Sequence, residues 1–428
     1  MNGDTEDFQA VNRRLVASYF EGGFRPKDEA RHLGVEAEHF VVHDDGTSVS
    51  YAGREGDFGV RDVLEYLSGF YPDRFYNLKG ELIALSNKTA SITLEPAAQL
   101  EISIAPYTDI ADIARAYAAF RDAVDPYLSL RGAHLVSHGY HPTMRARDMP
   151  LIPKERYRLM DAHFARIGSH GERMMRASAS TQVSIDFTDE ADAVRKFRVA
   201  SAIGPVLAAI TDNTPLFEAQ RNDVPIARLN LWRQVDDARC RVVPGTFDEG
   251  FGFRAYTDWM LDASPIFVDR PAADDPDGPA IRATGDTPAR IAYADAPMST
   301  GDIEHLISMF WPDVRFKRFV EIRQADCLPA AEIFGYTALV KGLFYSADSL
   351  AALEEALGVE GGVWPLTEES VDAAIRAIRE DGFDANVYGR TLEDWEQVLF
   401  STARAALSPE EASYLDSLER FAEDKPWW

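Results

Sequence analysis

Cysteine is scarce in this sequence, and features that would direct the chain to a membrane are missing. Only two cysteines, Cys240 and Cys327, occur in 428 residues, so a disulfide framework is excluded and both thiols are expected to be inert. No apolar run approaches the roughly 18 residues that a membrane helix needs. The acidic start, MNGDTEDFQA, does not resemble a secretory signal. We therefore expect a cytoplasmic protein that does not act at a membrane.

Positive charge is in the minority. Lys and Arg total 44 against 70 Asp and Glu, which gives a formal net charge of −26. A chain this acidic repels the phosphates of nucleic acids and anionic membrane surfaces. With 46% hydrophobic and 27% charged residues, the composition is that of a globular protein. We expect small-molecule substrates rather than nucleic acid, whereas composition says nothing about the oligomeric state.

Several common catalytic motifs are also absent. The sequence has no G-x-x-x-x-G-K-[ST] loop, no G-x-G-x-x-G after a predicted strand and no H-E-x-x-H, which argues against a Walker-type NTPase, a dinucleotide-binding fold and a zinc protease. His134, His138 and His141 have the spacing of a possible zinc site. On the strand expected there, however, residue 138 faces away from residue 141, which favours structural histidines.

The hydrophobic pattern predicts helices and strands that interleave without a regular βαβ repeat, which favours an α+β fold around a largely antiparallel sheet. We expect one catalytic domain over residues 1–428, with a core at about 30–345 and a helical region at about 346–428. Helices are predicted within the first 30 residues and at 60–70, 109–131, 153–167, 189–212, 253–262 and 301–310. Strands are predicted at 33–42, 76–86, 91–104, 133–140, 177–187, 226–233 and 314–323.

Polar and charged residues recur on one face of five predicted strands. Because side chains alternate across a strand, residues of the same parity share a face. In each of the five strands, apolar residues occupy the opposite face. The polar sets are Glu36 and Glu38; Gln99, Glu101 and Ser103; Gln182, Ser184 and Asp186; Arg228, Asn230 and Trp232; and Lys317, Glu321 and Arg323.

Carboxylates are unusual in such positions, because solvated strand faces favour Thr, Lys and Ser. Two carboxylates about 4 Å apart repel each other by about 4 kcal/mol at an effective dielectric constant near 20. A face that gathers Glu36, Glu38, Glu101 and Glu321 would therefore need protons or cations. Hard oxygen donors suit Mg²⁺ or Mn²⁺, which commonly act together with substrate phosphates. The alternative is the ordinary wet face of a half-buried antiparallel sheet, and periodicity cannot prove that these strands are neighbours.

Eight short motifs, in order between about residues 30 and 345, resemble the plant-type glutamate–cysteine ligase family. They are Gly34-Val-Glu-Ala-Glu38, Leu94-Glu-Pro-Ala-Ala-Gln-Leu-Glu-Ile-Ser103, Pro153-Lys-Glu-Arg-Tyr157, Met174-Met-Arg176, Thr181-Gln-Val-Ser-Ile-Asp-Phe187, Arg228-Leu-Asn-Leu-Trp232, Phe247-Asp-Glu-Gly-Phe-Gly-Phe253 and Arg315-Phe-Lys-Arg-Phe-Val-Glu-Ile-Arg-Gln-Ala-Asp326. The C-terminal third resembles the family only in its helical character.

The resemblance implies a glutamine-synthetase-like core, in which a curved, largely antiparallel sheet with flanking helices forms a funnel. It also implies a reaction with ATP as co-substrate and Mg²⁺ or Mn²⁺ as cofactor. ATP would phosphorylate the side-chain carboxylate of L-glutamate, and the amine of L-cysteine would attack the acyl phosphate. The products would be γ-glutamylcysteine, ADP and phosphate, the first step of glutathione biosynthesis.

The resemblance also implies roles for individual residues. Glu36, Glu38, Glu101 and Glu321 resemble metal ligands with Gln182 as a companion, and Glu95 is a weaker candidate because Pro96 interrupts its strand. Arg323 resembles the arginine that contacts the transferred phosphoryl group, so Arg323 and Glu321 are the catalytic candidates. Lys317 is expected to help bind ATP. Arg228 and Trp232 resemble the part of the funnel that holds glutamate, and Arg239 falls near a family arginine.

Three departures from the family pattern leave alternatives open. Ala97 and Ala98, and likewise Cys327 and Leu328, stand where the family often has glycines, which puts cysteine as the acceptor in doubt. The cysteines of the plant redox switch are missing. The alternatives are a ligase that joins glutamate to a different amine, and a non-catalytic descendant that binds a metabolite. The Pro- and Asp-rich segment 269–297 is predicted to be a long loop that shields the acyl phosphate.

Overall fold

A computed structural model describes residues 7–29, 31–271 and 280–425. Within these ranges, strands and helices alternate irregularly, as expected for the α+β class. The strands are β1 Leu33–His43, β2 Asp73–Tyr76, β3 Leu82–Ser86, β4 Ala90–Leu94, β5 Leu100–Tyr107, β6 Ala133–Val136, β7 Thr181–Ile185, β8 Leu216–Phe217, β9 Gln220–Arg221, β10 Cys240–Arg241, β11 Phe267–Asp269, β12 Ile281–Ala283, β13 Trp311–Pro312, β14 Val314–Phe316, β15 Val320–Ile322, β16 Asn386–Val387 and β17 Arg390–Thr391.

The helices surround the strands and dominate the C-terminal third. None of the described helices is both long and apolar enough to cross a membrane. Two short 3₁₀ turns, Ala146–Asp148 and Gly382–Asp384, accompany the α-helices. The α-helices are α1 Phe8–Glu21, α2 Val60–Leu67, α3 Ile110–Ser129, α4 Glu155–Ile167, α5 Gly171–Ala177, α6 Glu190–Ile210, α7 Ala227–Trp232, α8 Phe253–Asp262, α9 Ala289–Ala292, α10 Thr300–Ile307, α11 Ala330–Phe344, α12 Ala347–Ala356, α13 Glu368–Asp381, α14 Leu392–Ala406, α15 Pro409–Ala412 and α16 Leu415–Glu423.

One nine-stranded sheet organises the chain. Its strand order is β14-β15-β7-β1-β5-β4-β3-β2, with β6 pairing the second half of β1, and every pairing is antiparallel. The prediction of a largely antiparallel sheet is confirmed. More important for the site, β15, β7, β1 and β5 are consecutive neighbours in the sheet. The sequence alone could not show that these strands, which carry the polar faces, lie side by side.

Alternation along β1 explains how the sheet is anchored. Val35 and Ala37 are fully buried in the apolar core, while Glu36 and Glu38 between them are half-buried on the other face. Helices α3 and α11 pack against β1, β5, β6 and β7. The C-terminal helices α14 and α16 pack in turn on α11, so that one apolar core runs from Val16 to Ala422. The face of the sheet opposite the glutamates is therefore packed against an apolar core.

The prediction of a strand at 226–233 is wrong, because residues 227–232 form helix α7. The segment alternates between polar residues and Leu229 and Leu231, as a strand would. A six-residue segment, however, can satisfy either periodicity. In the helix, Arg228 and Trp232 are four residues apart and still share a face.

Other boundaries differ because predicted strands are hairpins. The segment 91–104 divides into β4 and β5 around a turn at 95–99, and 314–323 divides into β14 and β15. Gln99 consequently lies in a turn rather than on a strand. The predicted loop 269–297 contains β12 and α9, and its residues 272–279 lie outside the described residues.

Candidate active site

The sheet brings most of the candidate residues to one surface. In the register of β1, Glu36 lies opposite Gln182 on β7 and opposite Ser103 on β5, while Glu38 lies directly opposite Glu101. Directly opposed carboxylates on neighbouring strands destabilise a sheet unless something neutralises them. This pairing therefore indicates a site built to receive a cation or a proton.

A cavity of about 480 Å³ opens over this surface. It is lined by nine of the eleven residues predicted from the sequence, including Glu95, which reaches it from the turn between β4 and β5 rather than from a strand. The nine are Glu36, Glu38, Glu95, Glu101, Gln182, Arg228, Trp232, Lys317 and Arg323. The cavity therefore brings together the two kinds of residue that the sequence analysis predicted, acidic side chains and basic side chains.

The four carboxyl groups of the cavity that were predicted from the sequence, Glu36, Glu38, Glu95 and Glu101, have raised pKa values. Burial, followed by the neighbouring carboxylate of Glu101, raises the pKa of Glu36 to about 7. Burial and the charges of Glu101 and Glu38 raise the pKa of Glu95 well above its usual value. Burial also raises the pKa of Glu38 and of Glu101. Without further cations, burial therefore favours the protonated form of each of these carboxyl groups.

Hydrogen bonds distinguish these four glutamates. Glu38 accepts hydrogen bonds from the Ser180 amide at 2.7 Å, the Ser180 hydroxyl at 3.0 Å and the Gln182 amide nitrogen at 3.2 Å. Glu101 accepts hydrogen bonds from the hydroxyls of Thr93 at 2.5 Å and Ser103 at 3.3 Å. No comparable bond reaches Glu36 or Glu95 from the described residues. Their oxygen atoms are the most available donors for a ligand.

The donor chemistry fits Mg²⁺ or Mn²⁺, because the four predicted carboxylates and the Gln182 amide oxygen are hard oxygen ligands. The positions of the side chains do not yet form a coordination shell. Among the residues that the structure describes, no group of three or more His, Cys, Asp or Glu side chains is arranged to hold a metal ion as it stands. The metal-ligand assignments consequently stay predictions.

Glu321 does not line the cavity. Its side chain is fully buried and contacts three cations. Arg315 Nε lies 2.6 Å and Arg323 Nη1 lies 2.8 Å from the Glu321 Oε2. Lys317 Nζ lies 2.8 Å from Oε1 and forms an ion pair that lacks hydrogen-bond geometry. Burial alone would raise the pKa of Glu321, but these cations outweigh burial and hold the pKa well below its usual value. In this structure Glu321 organises the cationic end of the cavity.

Helix α7 supplies two buried donors to the cavity wall. Arg228 is 3% exposed, and its Nη1 lies 3.3–3.5 Å from the carbonyl oxygens of residues 323–325. Its Nε and the indole Nε1 of Trp232 have no hydrogen-bond partner. Buried donors without partners are costly, so this wall is suited to an oxygen-bearing ligand such as a carboxylate.

Arg239 lies elsewhere. It lines a second cavity of about 860 Å³, where its Nη1 donates to Asp236 at 2.5 Å, and His163 contacts the same carboxylate oxygen at 3.1 Å. The structure therefore separates this predicted substrate-binding residue from the other candidates. Arg239 was predicted only because it falls near a family arginine in the sequence, and that position does not determine which cavity its side chain enters.

Two arginines of the cavity had no assigned role in the sequence analysis. Arg156 donates to the hydroxyl of Ser308 at 2.9 Å and to the Ser308 carbonyl at 2.6 Å, and Arg315 binds Glu321. Both lie in motifs that resemble the family, Pro153–Tyr157 and Arg315–Asp326. Their place in these motifs was the sequence signal that could have identified them as residues of the site. With them, five cations line the cavity: Arg156, Arg228, Arg315, Lys317 and Arg323.

His141 and the two cysteines lie away from the cavity, in buried surroundings. His141 is buried, and its Nδ1 accepts hydrogen bonds from the amides of Thr143 and Met144. Cys240 and Cys327 are free and buried, and burial raises the pKa of both thiols. None of these residues lines the cavity over the sheet.

Comparison with known proteins adds a family. Residues 32–424 match the family described as glutamate-cysteine ligase family 2. The chain is 30% identical over 356 residues to the chloroplastic glutamate–cysteine ligase of Arabidopsis thaliana, covering 81% of this chain and 65% of that protein. It is also 30% identical over 355 residues to the chloroplastic glutamate–cysteine ligase B of Oryza sativa subsp. japonica, covering 81% and 69%. The chain thus spans about two thirds of the length of these curated relatives.

A solved structure supports the fold. The crystal structure of a glutamate–cysteine ligase from Francisella tularensis in complex with AMP superimposes with a TM-score of 0.53 at 12% sequence identity. The match covers 94% of this chain and 83% of that chain. At this identity the likeness concerns the fold alone, and it confirms the glutamine-synthetase-like arrangement that the family resemblance implied.

Proposed function

The chain belongs to glutamate-cysteine ligase family 2, and from that premise we propose that it is an ATP-dependent ligase that joins the γ-carboxylate of L-glutamate to the amine of L-cysteine. The observation that carries the proposal is the cavity over the sheet. Five carboxylates, Glu304 among them, and five cations line it, in a charge pattern that suits a metal–nucleotide complex beside an anionic amino acid. The relatives in plants are named for this activity.

Glu36, Glu38, Glu95 and Glu101, with Gln182 beside them, would hold the divalent cations. Bound there, Mg²⁺ or Mn²⁺ would neutralise polyphosphate charge and so permit ATP and glutamate to approach each other. The raised pKa values of the four glutamates support this assignment, because burial outweighs the nearby protein cations at each of them, and a bound divalent cation would favour the charged form.

The cations of the β14–β15 hairpin would serve the phosphoryl group. Arg323 and Lys317 are fixed by ion pairs to Glu321, so their positive charges are already in place before substrates bind. Preorganised charges of this kind stabilise the transition state of phosphoryl transfer electrostatically. The γ-phosphoryl group moves to a carboxylate oxygen of glutamate, and ADP leaves.

Helix α7 would hold the acid substrate. Arg228 and the Trp232 indole each bring a buried donor without a partner to the cavity wall, and a substrate carboxylate would satisfy them. After phosphorylation, the acceptor nitrogen attacks the acyl carbon, the bond to phosphate breaks, and the nitrogen loses a proton. The γ-glutamyl amide and phosphate result.

The departures from the family pattern do not lie on the cavity surface. Neither Ala97 and Ala98 nor Cys327 and Leu328 are among its lining residues. Cys327 instead packs with Phe40, Val42 and Ala179. The structure therefore gives no specific support to a different acceptor, and cysteine remains our proposed amine.

An amine panel tests the proposal. ADP release is measured with Mg²⁺, ATP, glutamate and one amine at a time, and the product is identified by mass spectrometry. We expect cysteine to give the highest rate and γ-glutamylcysteine as product. If cysteine gives no more ADP than the reaction without amine while another amine does, the acceptor is wrong. If no amine supports ADP release, the chain is not a ligase of this type.

A further inference from the structure

A buried lysine near the end of the described chain lies outside the cavity and has no role in the proposed reaction. Lys425 is 4% exposed, and its ammonium donates hydrogen bonds to the carbonyl oxygens of Ile210 at 3.1 Å and Asp212 at 2.7 Å. Ile210 is the last residue of helix α6, where carbonyl groups favour a positive charge. The C-terminal segment is therefore anchored at the end of α6.

Asp212, at this anchor, controls the start of helix α7. Its Oδ2 accepts a hydrogen bond from the Ile226 amide at 3.0 Å, and its Oδ1 accepts one from the Thr214 amide at 3.2 Å. Ile226 has φ +49° and ψ +43°, a left-handed conformation that is unfavourable for a β-branched residue. Such a conformation persists only when its surroundings hold it. Asp212 supplies a hydrogen bond that does so.

A second acidic residue connects the same cluster to Arg228. Asp326 accepts hydrogen bonds from the Asn213 amide at 2.9 Å and the Thr214 hydroxyl at 2.7 Å, and its charge acts on the guanidinium of Arg228. Gly139 packs so closely that a Cβ at this position would clash with the Asp326 carboxylate. Asp326 is thus fixed from three sides.

The charges of the cluster depend on one another. Burial, followed by the neighbouring Asp212, raises the pKa of Asp326 to about 7. Burial lowers the pKa of Lys425 to about 8, while the carboxylates of Asp212 and Asp326 act in the opposite direction. A nearby cation lowers the cost of keeping buried carboxylates charged.

We propose that Lys425 is a positioning residue, which holds Asp212 and the strained turn at Ile226 so that helix α7 presents Arg228 and Trp232 to the acid substrate. This inference rests on the proposed function, because it assigns glutamate to the α7 wall. It makes the C-terminal segment part of the substrate-binding apparatus. A purely structural tether would affect the stability of the whole chain without affecting glutamate selectively.

The kinetic test uses Lys425→Met in the full chain. We expect the KM for glutamate to rise about tenfold or more, with the KM for ATP changed less than twofold, and Lys425→Arg to restore most of the wild-type KM. Lys341→Met is the matched control, since Lys341 likewise donates a hydrogen bond to a backbone carbonyl, that of Thr108, and pairs with Glu411 away from the cavity. Equal effects of Lys425→Met on both KM values, or none, would overturn the inference.

A second measurement does not depend on the reaction. Hydrogen exchange followed by mass spectrometry reports the amides of a peptide covering 224–235. We expect Lys425→Met to increase exchange in this peptide at least fivefold, whereas Lys341→Met leaves it unchanged. If Lys425→Met does not fold, Asp212→Asn takes its place with the same expectations. Wild-type exchange of this peptide in a folded variant would overturn the inference.

The two proposals fail in different ways. If the wild-type chain gives no glutamate-dependent ADP release, the proposed function fails, and the exchange experiment still decides whether Lys425 positions α7. If the wild type is active and the KM for glutamate is unchanged in Lys425→Met, the function stands and the positioning role fails.

Discussion

At the scale of single residues, the same side chain has opposite properties in two places. Glu36 faces other carboxylates, and burial raises its pKa to about 7, whereas Glu321 contacts three cations that hold its pKa well below the usual value. The difference follows from neighbours rather than from residue type. It suggests different tasks: Glu36 is suited to receive a cation, and Glu321 is suited to hold cations in place.

Replacement of Glu321 by Gln tests that task. A neutral amide cannot balance Arg315, Lys317 and Arg323, so we expect kcat to fall by about a hundredfold or more, a loss typical for preorganised electrostatic groups. Steady-state kinetics of ADP release provides the measurement. Glu354→Gln, which breaks a Glu–Arg pair with Arg195 on the surface of the helical region, is the control and should keep normal activity. Near-normal kcat in Glu321→Gln would refute this role.

Glu396 offers a test of charge burial outside the cavity, because burial is the largest cause of its pKa shift, ahead of the opposing charge of Lys425 and the charges of three nearby glutamates. Burial raises its pKa from the usual 4.5 to about 7. Since the folded state binds this proton more tightly than the unfolded state, Glu396 destabilises the fold increasingly as the pH rises from about 4.5 to 7. Glu396→Gln should therefore raise the free energy of unfolding by about 1 kcal/mol at pH 8, after allowance for partial exposure, and hardly at pH 4.5.

Denaturant unfolding at the two pH values measures the effect. A gain of the same size at both would show that the amide packs better, and would contradict the assignment to charge burial.

At the scale of elements, the secondary structure of longer segments was predicted correctly, whereas that of a short segment was not. Helix α8 lies at 253–262, as its periodicity predicted, and β1 matches the predicted strand within one residue. Helix α7 was mistaken for a strand, because its six residues satisfy both periodicities and its first turn depends on the Asp212 hydrogen bond. That bond joins residues 14 apart in sequence, which local patterns do not register.

The turn between β4 and β5 provides a prediction at this scale. Ala98 has φ +70°, which costs a residue with a Cβ about 1–2 kcal/mol relative to glycine, whereas Ala97 has no positive φ. Ala98→Gly should therefore stabilise the protein by up to about 1 kcal/mol, since the loss of a buried methyl offsets part of the gain.

Ala97→Gly is the matched control, because Ala97 is equally buried and lies in the same turn. It should destabilise the protein by about 1 kcal/mol, through the lost methyl and the added backbone entropy of the unfolded chain. Melting temperatures of the two variants should move in opposite directions. Destabilisation of equal size in both would contradict the interpretation of strain at Ala98.

At the scale of the whole molecule, the carboxylates of the cavity make stability dependent on metal. Glu36 and Glu101 come from different strands, so a cation bound between them would stabilise only the folded chain. We expect free Mg²⁺ at about ten times its dissociation constant to raise the free energy of unfolding by about 1.4 kcal/mol. We also expect EDTA to abolish ADP release, and Mg²⁺ to restore it.

Thermal unfolding with and without Mg²⁺ measures the first effect. The gain should be lost in Glu36→Gln, whereas Glu354→Gln should retain it. An identical Mg²⁺ response in wild type and Glu36→Gln would contradict the assignment of Glu36 as a ligand.

The sequence by itself determined the α+β class, the antiparallel sheet and the parity that put Glu36, Glu38 and Glu101 on one face, because alternation is a local property of a strand. It also contained the motifs that identify the family. Only the tertiary structure decided that these strands are neighbours, that Glu321 lies beneath its cations rather than in the cavity, and that Arg239 enters a different one. Strand order, and which side chains face a cavity, depend on contacts between elements distant in sequence, and a single sequence holds no local signal for them.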